Sequence, residues 1–323
     1  TPSLMTDRPI TREEFLDITN KVFEVAGSIV NDGIRKATRF EQYITKGDKT
    51  VVTVTDKLSQ QESLEAVWGY KPGVAILAEE AEKTLGQLTA RHRFTLDGLD
   101  GTGGYLMGAP TPTIILDHYD THTGNVDHVG VLWAATMEMY TASRGQGAFR
   151  HEYPNQSISA IVPLKVNKQP LNGASVMIDV DHAFARVINK RSGEKKQILS
   201  DLQRRTLSQN IESLGAKPCS FYTNGGHYAL VAGGRPTAVA CITTAIGQPA
   251  DISGTLLVEE AKGCVQSYII EGNHLDPITV PNVCMGENFE NTVADLVIGT
   301  NTIETLALLE SALQDAIRNP LRR

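Results

Sequence analysis

The segment from Phe94 to Tyr105 most constrains how this chain can fold. It reads Phe-Thr-Leu-Asp-Gly-Leu-Asp-Gly-Thr-Gly-Gly-Tyr, so an apolar run is followed at once by two carboxylates, a hydroxyl and four glycines. Phe94 to Leu96 predicts the end of a short buried strand, and Asp97 and Asp100 should project from its carboxyl end. Open α/β sheets bind their ligands at that edge. The segment therefore predicts a ligand-binding loop.

The same segment offers ligands for a cation and for an anion. Asp97 and Asp100, with the carbonyl of Leu99 between them, form a cluster of the hard oxygens that Mg²⁺ prefers. The glycines at 101, 103 and 104 permit a tight turn whose backbone N–H groups can face an anion. The hydroxyl of Thr102 is placed to orient a water. A plain surface turn is the alternative, because Asp and Gly are common turn residues.

Other ligand-binding loops fit this segment less well. A calcium loop needs an acidic or amide residue at its third position, where this sequence has Leu99 when counted from Asp97. The chain contains no G-x-x-x-x-G-K-[ST], and no G-x-G-x-x-G follows a predicted strand. A P-loop or a Rossmann dinucleotide site is therefore disfavoured.

Three further acidic residues lie next to predicted strands or helices. The apolar run 74–77 predicts a short strand that leads into Glu79, and a β-branched run predicts another strand that Asp56 closes. Asp251 precedes the apolar segment 255–261, which predicts a buried helix. A helix-capping role is the alternative for Asp251.

These pieces, in this order, resemble the inositol monophosphatase superfamily of Mg²⁺-dependent, lithium-sensitive phosphatases, which includes 3′(2′),5′-bisphosphate nucleotidases and some fructose bisphosphatases. The family motif D-P-[IL]-D-G-T is similar to residues 97–102, and its G-E-E is similar to residues 78–80. The family's W-D-x-[AS]-G with a later E-A-G-G is similar to residues 250–263. Its central hairpin resembles residues 130–149.

The resemblance implies a fold, a reaction and a cofactor. The fold would be a layered α-β-α-β-α sandwich of mixed α and β elements. Residues 1–165 would form an N-terminal half with most metal ligands, and residues 166–323 a C-terminal half with Asp251 and the substrate-side residues. The chain would hydrolyse a small phosphomonoester with two or three Mg²⁺ ions. A homodimer is implied by the resemblance alone.

The resemblance also assigns roles to individual residues. Thr102, helped by Glu79 or by Asp56, would orient and deprotonate the attacking water, and the backbone of Gly101 and Thr102 would hold phosphate oxygens. The implied metal ligands are Glu79, Asp97, the carbonyl of Leu99, Asp100 and Asp251. Phosphoryl transfer needs mainly positioning and charge neutralisation. Clustered carboxylates raise one another's proton affinity, so activity should require Mg²⁺ and fail at acid pH.

Departures from the family motifs bear on the substrate. Gly98 stands in place of proline, Ala78 of glycine and Ala250 of tryptophan, and none of these contributes a ligand side chain. Residues 103–108 resemble the K-G-[FY]-L-R-G of bisphosphate nucleotidases but lack its lysine and arginine. We therefore expect a phosphorylated polyol or sugar, such as an inositol phosphate, ahead of a 3′-phosphorylated adenine nucleotide. A non-catalytic sensor of a phosphate ligand is the alternative of another class.

Composition limits the partners of the chain. Its 323 residues, of which 41% are hydrophobic, can bury one large core or two joined cores. A net charge of −7 provides no basic stripe for a nucleic-acid polymer. We expect no membrane span and no signal peptide, because no run of about 18 apolar residues occurs and residues 1–10 lack an apolar core. Four cysteines without C-x-x-C spacing predict reduced thiols in a cytoplasmic protein.

The remaining predictions concern helices and two ambiguous clusters. Residues 11–14 form a capping box before a long amphipathic helix, and residues 303–317 predict a C-terminal helix. The loop 46–49 is either a lid over the metals or an ordinary solvated loop, and the charge run 190–196 either binds phosphate or faces water. Among six possible metal ligands at 117–128 are His118, His122 and His128. Two strands around a turn would divide them between faces, which favours a polar hairpin rim or a subunit contact over zinc.

Overall fold

The computed structural model describes residues 8–35, 43–45, 51–81, 85–87, 89–152, 160–178, 187–188, 195–196, 198–244, 249–278 and 294–320. The loop 46–49, Cys284 and most of the charge run 190–196 lie outside the described residues. Predictions about the lid and about phosphate binding by that run therefore stay predictions. None of the described helices combines the length and apolarity that crossing a bilayer requires.

Eight helices are present in the described residues. They are α1 (Arg12–Arg35), α2 (Val54–Tyr70), α3 (Thr102–Leu106), α4 (Asp201–Ser213), α5 (Asn224–Ala232), α6 (Pro249–Ser253), α7 (Thr255–Glu260) and α8 (Ile303–Arg318).

The strands of the first half form one mixed sheet of eight strands. In chain order they are β3 (Ala75–Ala78), β4 (Leu85–Gly86), β5 (His92–Asp100), β6 (Thr113–Asp120), β7 (Asn125–Trp133), β8 (Glu138–Ser143), β9 (Gly147–Glu152) and β10 (Ala160–Pro163). Their order across the sheet is β10-β9-β8-β7-β6-β5-β3-β4, and only β3 and β5 run parallel. A separate two-stranded ladder joins β1 (Tyr43–Thr45) to β2 (Val51–Thr53).

The strands of the second half form a six-stranded sheet. They are β11 (Ser175–Ile178), β14 (Lys217–Cys219), β15 (Ala238–Thr244), β16 (Cys264–Glu271), β17 (His274–Ile278) and β18 (Leu296–Thr300), in the order β14-β11-β15-β18-β16-β17. A further ladder pairs β12 (Val187–Ile188) with β13 (Lys195–Lys196). The predicted division into halves at 165/166 stays a prediction, although the membership of the two large sheets changes between Pro163 and Ser175.

The helices and the two large sheets alternate in five layers. α1 and α2 pack on the outer face of the eight-stranded sheet, and α4 and α8 lie against the six-stranded sheet. Between the sheets, α5, α6 and α7 contact strands of both. Three buried apolar clusters fill the spaces between these layers. The predicted α-β-α-β-α sandwich is therefore confirmed.

Local signals in the sequence explain where several helices begin. Thr11 and Glu14 form the predicted capping box, with Glu14 N donating to Thr11 Oγ1 at 3.2 Å and Thr11 N to Glu14 Oε2 at 3.0 Å. The predicted apolar stripe of α1 is buried at Phe15, Ile18 and Val22. The described cysteines 219, 241 and 264 are free thiols, as predicted, although only Cys241 is fully buried.

The strand boundary at Asp56 was predicted wrongly. The β-branched run ends as a strand at Thr53, and Asp56 lies in the first turn of α2 rather than at a strand end. The reason is a capping box in which Thr53 and Asp56 bond each other's backbone N–H, which starts a helix at Val54. Asp251 lies inside the short helix α6, so it is not the cap of the following helix α7.

Candidate active site

The parallel pair β3 and β5 brings the first two acidic residues together. Ala78 is in register with Leu96, and Glu79 N donates to Leu96 O at 3.0 Å. Glu79 therefore leaves β3 beside the point where Asp97 stands on β5, because parallel strands share a carboxyl edge. Asp97 is buried, and its Oδ1 accepts a hydrogen bond from Leu99 N at 2.9 Å.

A β-bulge gives Asp97 and Asp100 the same orientation. The strand β5 does not end at Leu96, as predicted, but runs on to Asp100. Asp97 pairs with Ile115 and Asp100 with Thr113, so three steps along β5 oppose two steps along β6. Residues three apart on a regular strand face opposite sides of the sheet, whereas one extra residue returns the second to the side of the first. Both carboxylates can then serve one site.

Gly98, which replaces the family proline, lies where α2 crosses the bulge. Ser59 Oγ donates to Gly98 O at 2.6 Å. A Cβ atom at position 98 would lie 2.8 Å from the backbone nitrogen of Gln60. The side chain of Gln60 also accepts a hydrogen bond from Glu80 N at 2.7 Å. Gly98 thus permits the close approach of the helix that holds the backbone next to Glu79.

Gly101 turns the chain from β5 into α3. Its φ is +98°, a left-handed conformation that favours glycine. A Cβ atom there would also lie 2.4 Å from the carbonyl oxygen of Tyr222. Both constraints leave glycine as the residue that fits, and the turn places Thr102 at the start of α3.

Thr102 is held between a carboxylate and a carbonyl. Its Oγ1 donates to Asp56 Oδ1 at 2.7 Å and lies 3.3 Å from the carbonyl oxygen of Leu99. The other carboxylate oxygen of Asp56 accepts from Thr53 N at 2.8 Å and from the Thr53 hydroxyl. The structure therefore joins Thr102, Asp56 and the Leu99 carbonyl, which the family resemblance had placed in one site.

Burial raises the pKa of Asp56 to about 6. The hydrogen bonds from Thr53 and Thr102 lower this pKa, and the nearby charge of Glu79 raises it. The carboxyl group of Asp56 is thus poised to exchange a proton close to neutral pH.

Asp100 is bound by donors that the sequence interpretation missed. Its carboxylate accepts hydrogen bonds from the side chains of Thr113 and Thr223 and from the backbone N–H groups of Asn224 and Gly225. Thr223 is the N-cap of α5 and accepts from Gly226 N at 3.1 Å. The Thr-Asn-Gly-Gly sequence carries the signal of a helix start, but nothing in it indicates which carboxylate lies nearby.

The residues around Thr102 have the chemistry of a site for Mg²⁺. Carboxylates at Asp97 and Asp100 and the carbonyl of Leu99 are hard oxygen donors, and Glu79 acts electrostatically on Asp56. Among the described side chains, no three from His, Cys, Asp and Glu converge closely enough to hold an ion. The side chain of Asp251, the fourth implied carboxylate ligand, lies outside the described part of the chain, but its helix α6 packs against β5 and β6. These oxygen ligands are thus of the chemical type that Mg²⁺ prefers.

The histidines of the β6–β7 hairpin lie apart from this site. The strands place Asp117 and His118 on opposite faces, as predicted. Asp117 is fully buried and accepts a hydrogen bond from Thr95, and burial raises its pKa to about 7. His118 and His128 are also buried, so the predicted polar rim is wrong for both. Only His122, on the turn, has an exposed side chain.

His118 and His128 belong to a stacked row under the start of α1. His118 packs between His92 and His128, with ring centroids 5.2 and 5.5 Å away. His128 stacks on Phe15 of α1 at 5.0 Å. The row therefore has a structural role in holding α1 on the sheet.

The sequence profile of the inositol monophosphatase family matches residues 11–296. This chain belongs to the inositol monophosphatase family. Among its relatives in the family, the inositol-1-monophosphatase of Rhizobium meliloti (strain 1021) is 34% identical over 113 residues, which is 34% of this chain and 41% of that protein. The aligned segment thus spans less than half of that relative.

Solved structures share the fold over nearly the whole chain. The extragenic suppressor protein suhB of Bartonella henselae has a TM-score of 0.69 at 18% identity, covering 95% of this chain and 99% of that one. The IMPase of Thermotoga maritima has a TM-score of 0.68 at 18% identity, covering 95% and 100%. The profile match confirms family membership and, at the level of the family, the expectation of a phosphatase, and the solved structures confirm the fold class. The individual site residues stay predictions.

Proposed function

We propose that this chain hydrolyses a small phosphorylated polyol or sugar, with water as the nucleophile and Mg²⁺ as the cofactor. The observation that carries the proposal is the position of the Thr102 hydroxyl, 2.7 Å from Asp56 Oδ1 and 3.3 Å from the carbonyl of Leu99. This arrangement lies beside two carboxylates on one face of the bulged strand β5.

In this proposal Thr102 and Asp56 orient the water and accept its proton. The Thr102 hydroxyl donates its only hydrogen to Asp56, so its lone pairs can accept a hydrogen bond from the attacking water. The proton of that water can pass to Thr102 Oγ1 while the proton of Thr102 passes to Asp56. Because the pKa of Asp56 is about 6, its carboxylate can accept this proton near neutral pH.

Glu79, Asp97, Asp100, Asp251 and the carbonyl of Leu99 are the proposed residues that hold Mg²⁺. When bound, Mg²⁺ lowers the pKa of a water and neutralises charge on the leaving oxygen. The backbone N–H groups of Gly101 and Thr102 are proposed to bind the phosphate oxygens, at a turn where Gly101 is left-handed and no side chain caps α3.

A 3′(2′),5′-bisphosphate nucleotide is the second candidate substrate. Met107, at the end of α3, has an exposed side chain, and so has Phe221, next to the Tyr222 that packs on Gly104. Exposed apolar side chains at this rim suit an aromatic base better than a polyol. Dependence on two or three metal ions, lithium sensitivity, a homodimer and a cytoplasmic location remain expectations from the resemblance and composition.

A panel of substrates tests the proposal. Phosphate release would be measured from inositol phosphates, sugar phosphates and 3′-phosphoadenosine 5′-phosphate, with Mg²⁺, with a chelator and with added Li⁺. We expect Mg²⁺-dependent release from a polyol or sugar ester and its loss with chelator. Preference for the nucleotide would establish the second candidate instead.

The variant Asp97→Asn locates the reaction at this site. It should lower the rate about 100-fold or more, because the substitution removes the charge of one proposed metal ligand and keeps the shape of the side chain. Asp201→Asn, at an exposed position at the start of α4, is the matched control and should retain activity. Silence across the panel despite Mg²⁺ binding would favour a specialised substrate or the non-catalytic sensor. Undiminished activity of Asp97→Asn would refute the assignment of the site.

A further inference from the structure

The carboxylate of Asp100 is bound unequally at its two oxygens. Oδ2 accepts from Thr113 Oγ1 at 2.8 Å, from Thr223 Oγ1 at 2.6 Å and from Gly225 N at 2.8 Å. Oδ1 accepts from Asn224 N at the longer distance of 3.1 Å. An ionised carboxylate offers about four lone-pair directions, and the three shorter of these four hydrogen bonds lie on Oδ2.

The donors come from both halves of the chain. Thr113 lies on β6, directly opposite Asp100 in the eight-stranded sheet. Thr223 to Gly225 form the start of α5, more than 120 residues further along the chain, in the layer between the sheets. All of these residues are buried or nearly so. The positive end of the α5 dipole also stabilises an ionised carboxylate at this position.

The two threonine hydroxyls are themselves in contact, at 2.7 Å. Each hydroxyl has one hydrogen, so at most two of the three contacts among Thr113, Thr223 and Asp100 can hold a hydrogen bond at once. Thr223 also accepts from Gly226 N, which fixes the direction of its lone pairs. Its hydrogen is therefore aimed at Asp100 or at Thr113, and the triangle restricts rotation of all three side chains.

We propose that Thr113 and Thr223 are positioning residues that hold Asp100 Oδ2 and so present Oδ1 to the divalent cation. This inference rests on the proposed function, because it takes Asp100 as a ligand. Hydrogen-bond partners of metal ligands commonly set the orientation of the ligand, and their removal lowers metal affinity. The arrangement also makes cation binding depend on the docking of α5 against β5 and β6.

The test measures binding of Mg²⁺ and Mn²⁺ to the metal-free, full-length protein by isothermal titration calorimetry. Thr113→Val removes one hydroxyl and keeps the branched shape, and it should raise the dissociation constant about 10- to 100-fold. Thr113→Ser keeps the hydroxyl and should restore binding to near the wild-type value. Thr141→Val is the matched control, because this buried threonine bonds only His151 among the described contacts of its hydroxyl.

A second pair of variants covers the case in which Thr113→Val does not fold. Thr223→Ala should raise the same dissociation constant. Thr223→Ser should restore both the cap of α5 and cation binding. Wild-type affinity in folded Thr113→Val and Thr223→Ala would overturn the inference and leave the proposed function intact. Absence of cation binding by the wild-type protein would instead refute the metal in the proposed function, and this inference with it.

Discussion

Thr102 has one hydroxyl hydrogen and two acceptors within reach. The distance to Asp56 Oδ1 is 2.7 Å and that to the carbonyl of Leu99 is 3.3 Å, so the hydrogen lies toward Asp56. This preference follows from the capping box at the start of α2, which fixes the Asp56 carboxylate through Thr53. The orientation of a single hydroxyl thus depends on where a helix begins.

Replacement of Thr102 separates this orienting role from packing. Thr102→Val should lower the rate of phosphate release about 100- to 10,000-fold, because the proposed route of the water's proton is lost. Thr102→Ser should retain most of the activity, since it keeps the hydroxyl. Steady-state kinetics would show the loss mainly in kcat, with the melting temperature unchanged within a few degrees. A fully active Thr102→Val would contradict the role of Thr102.

The start of α1 is joined to the eight-stranded sheet through neutral imidazoles. His92 Nε2 faces the carbonyl of Arg8 at 3.0 Å, and His128 Nε2 faces that of Ile10 at 3.0 Å. A carbonyl only accepts, so each Nε2 carries a hydrogen, and His92 Nδ1 then accepts from His118 Nε2 at 3.1 Å. The hydrogen bonds among these elements are therefore all satisfied with uncharged histidines.

The charged groups around this row do not offset its burial. Burial lowers the pKa of His92, His118 and His128, and for His118 the pKa falls well below its usual value. Lys71 and Arg91 lower the pKa of His92 and His118 further, whereas Asp120 raises the pKa of His92 and Glu13 raises that of His128. At these three histidines the folded protein thus binds fewer protons than the unfolded chain below about pH 6.5.

The buried histidines should therefore lower the free energy of unfolding as the pH is lowered. Between pH 7.5 and 5.5 the unfolded chain binds a proton at His118 that the folded protein does not bind. The free energy of unfolding therefore falls by about 1 kcal/mol over this interval. His118→Leu should lose less of its free energy of unfolding over this interval than the wild type, measured by chemical denaturation. His122→Gln, at an exposed histidine, is the control and should show the wild-type slope.

The raised pKa values of Asp56 and Asp117 act in the opposite direction. A carboxyl whose pKa is raised by folding adds to the free energy of unfolding at low pH, and this contribution is lost as the pH rises. These carboxyls are present in every variant compared, so the difference in slope isolates the imidazole. Equal slopes for His118→Leu and the wild type would contradict the account of the row.

Over the whole molecule, the candidate site lies where the eight-stranded sheet meets the middle helical layer. Asp97 and Asp100 belong to β5, whereas α5 and α6 come from the second half of the chain. A cation bound by groups from both halves would favour the assembled state over the unfolded chain.

Added Mg²⁺ should therefore raise the melting temperature. At 100 times the dissociation constant, a single bound ion adds about 2.7 kcal/mol to the free energy of unfolding. Differential scanning fluorimetry with MgCl₂, against NaCl of equal ionic strength, would measure the shift. Asp97→Asn should abolish it, and a wild-type curve that Mg²⁺ does not move would contradict binding at the assembled site.

The amino-acid sequence was sufficient to predict the local features of the chain and its family. The 97–102 motif, the capping box at Thr11, the β6–β7 hairpin and the C-terminal helix all depend on neighbouring residues, so they could be predicted without tertiary contacts. Asp56 could also have been placed in a helix from the Thr53 to Asp56 spacing, had that spacing been recognised as a capping box.

Tertiary structure alone decided which side chains meet. The bulge that turns Asp100 to the side of Asp97 is defined by pairing with β6, and the donors to Asp100 come from residues 223–225. The burial of His118 likewise follows from the docking of α1 across the sheet. Such contacts join residues that are distant in the chain, and their free energy depends on packing of whole layers, which no short pattern of residues specifies.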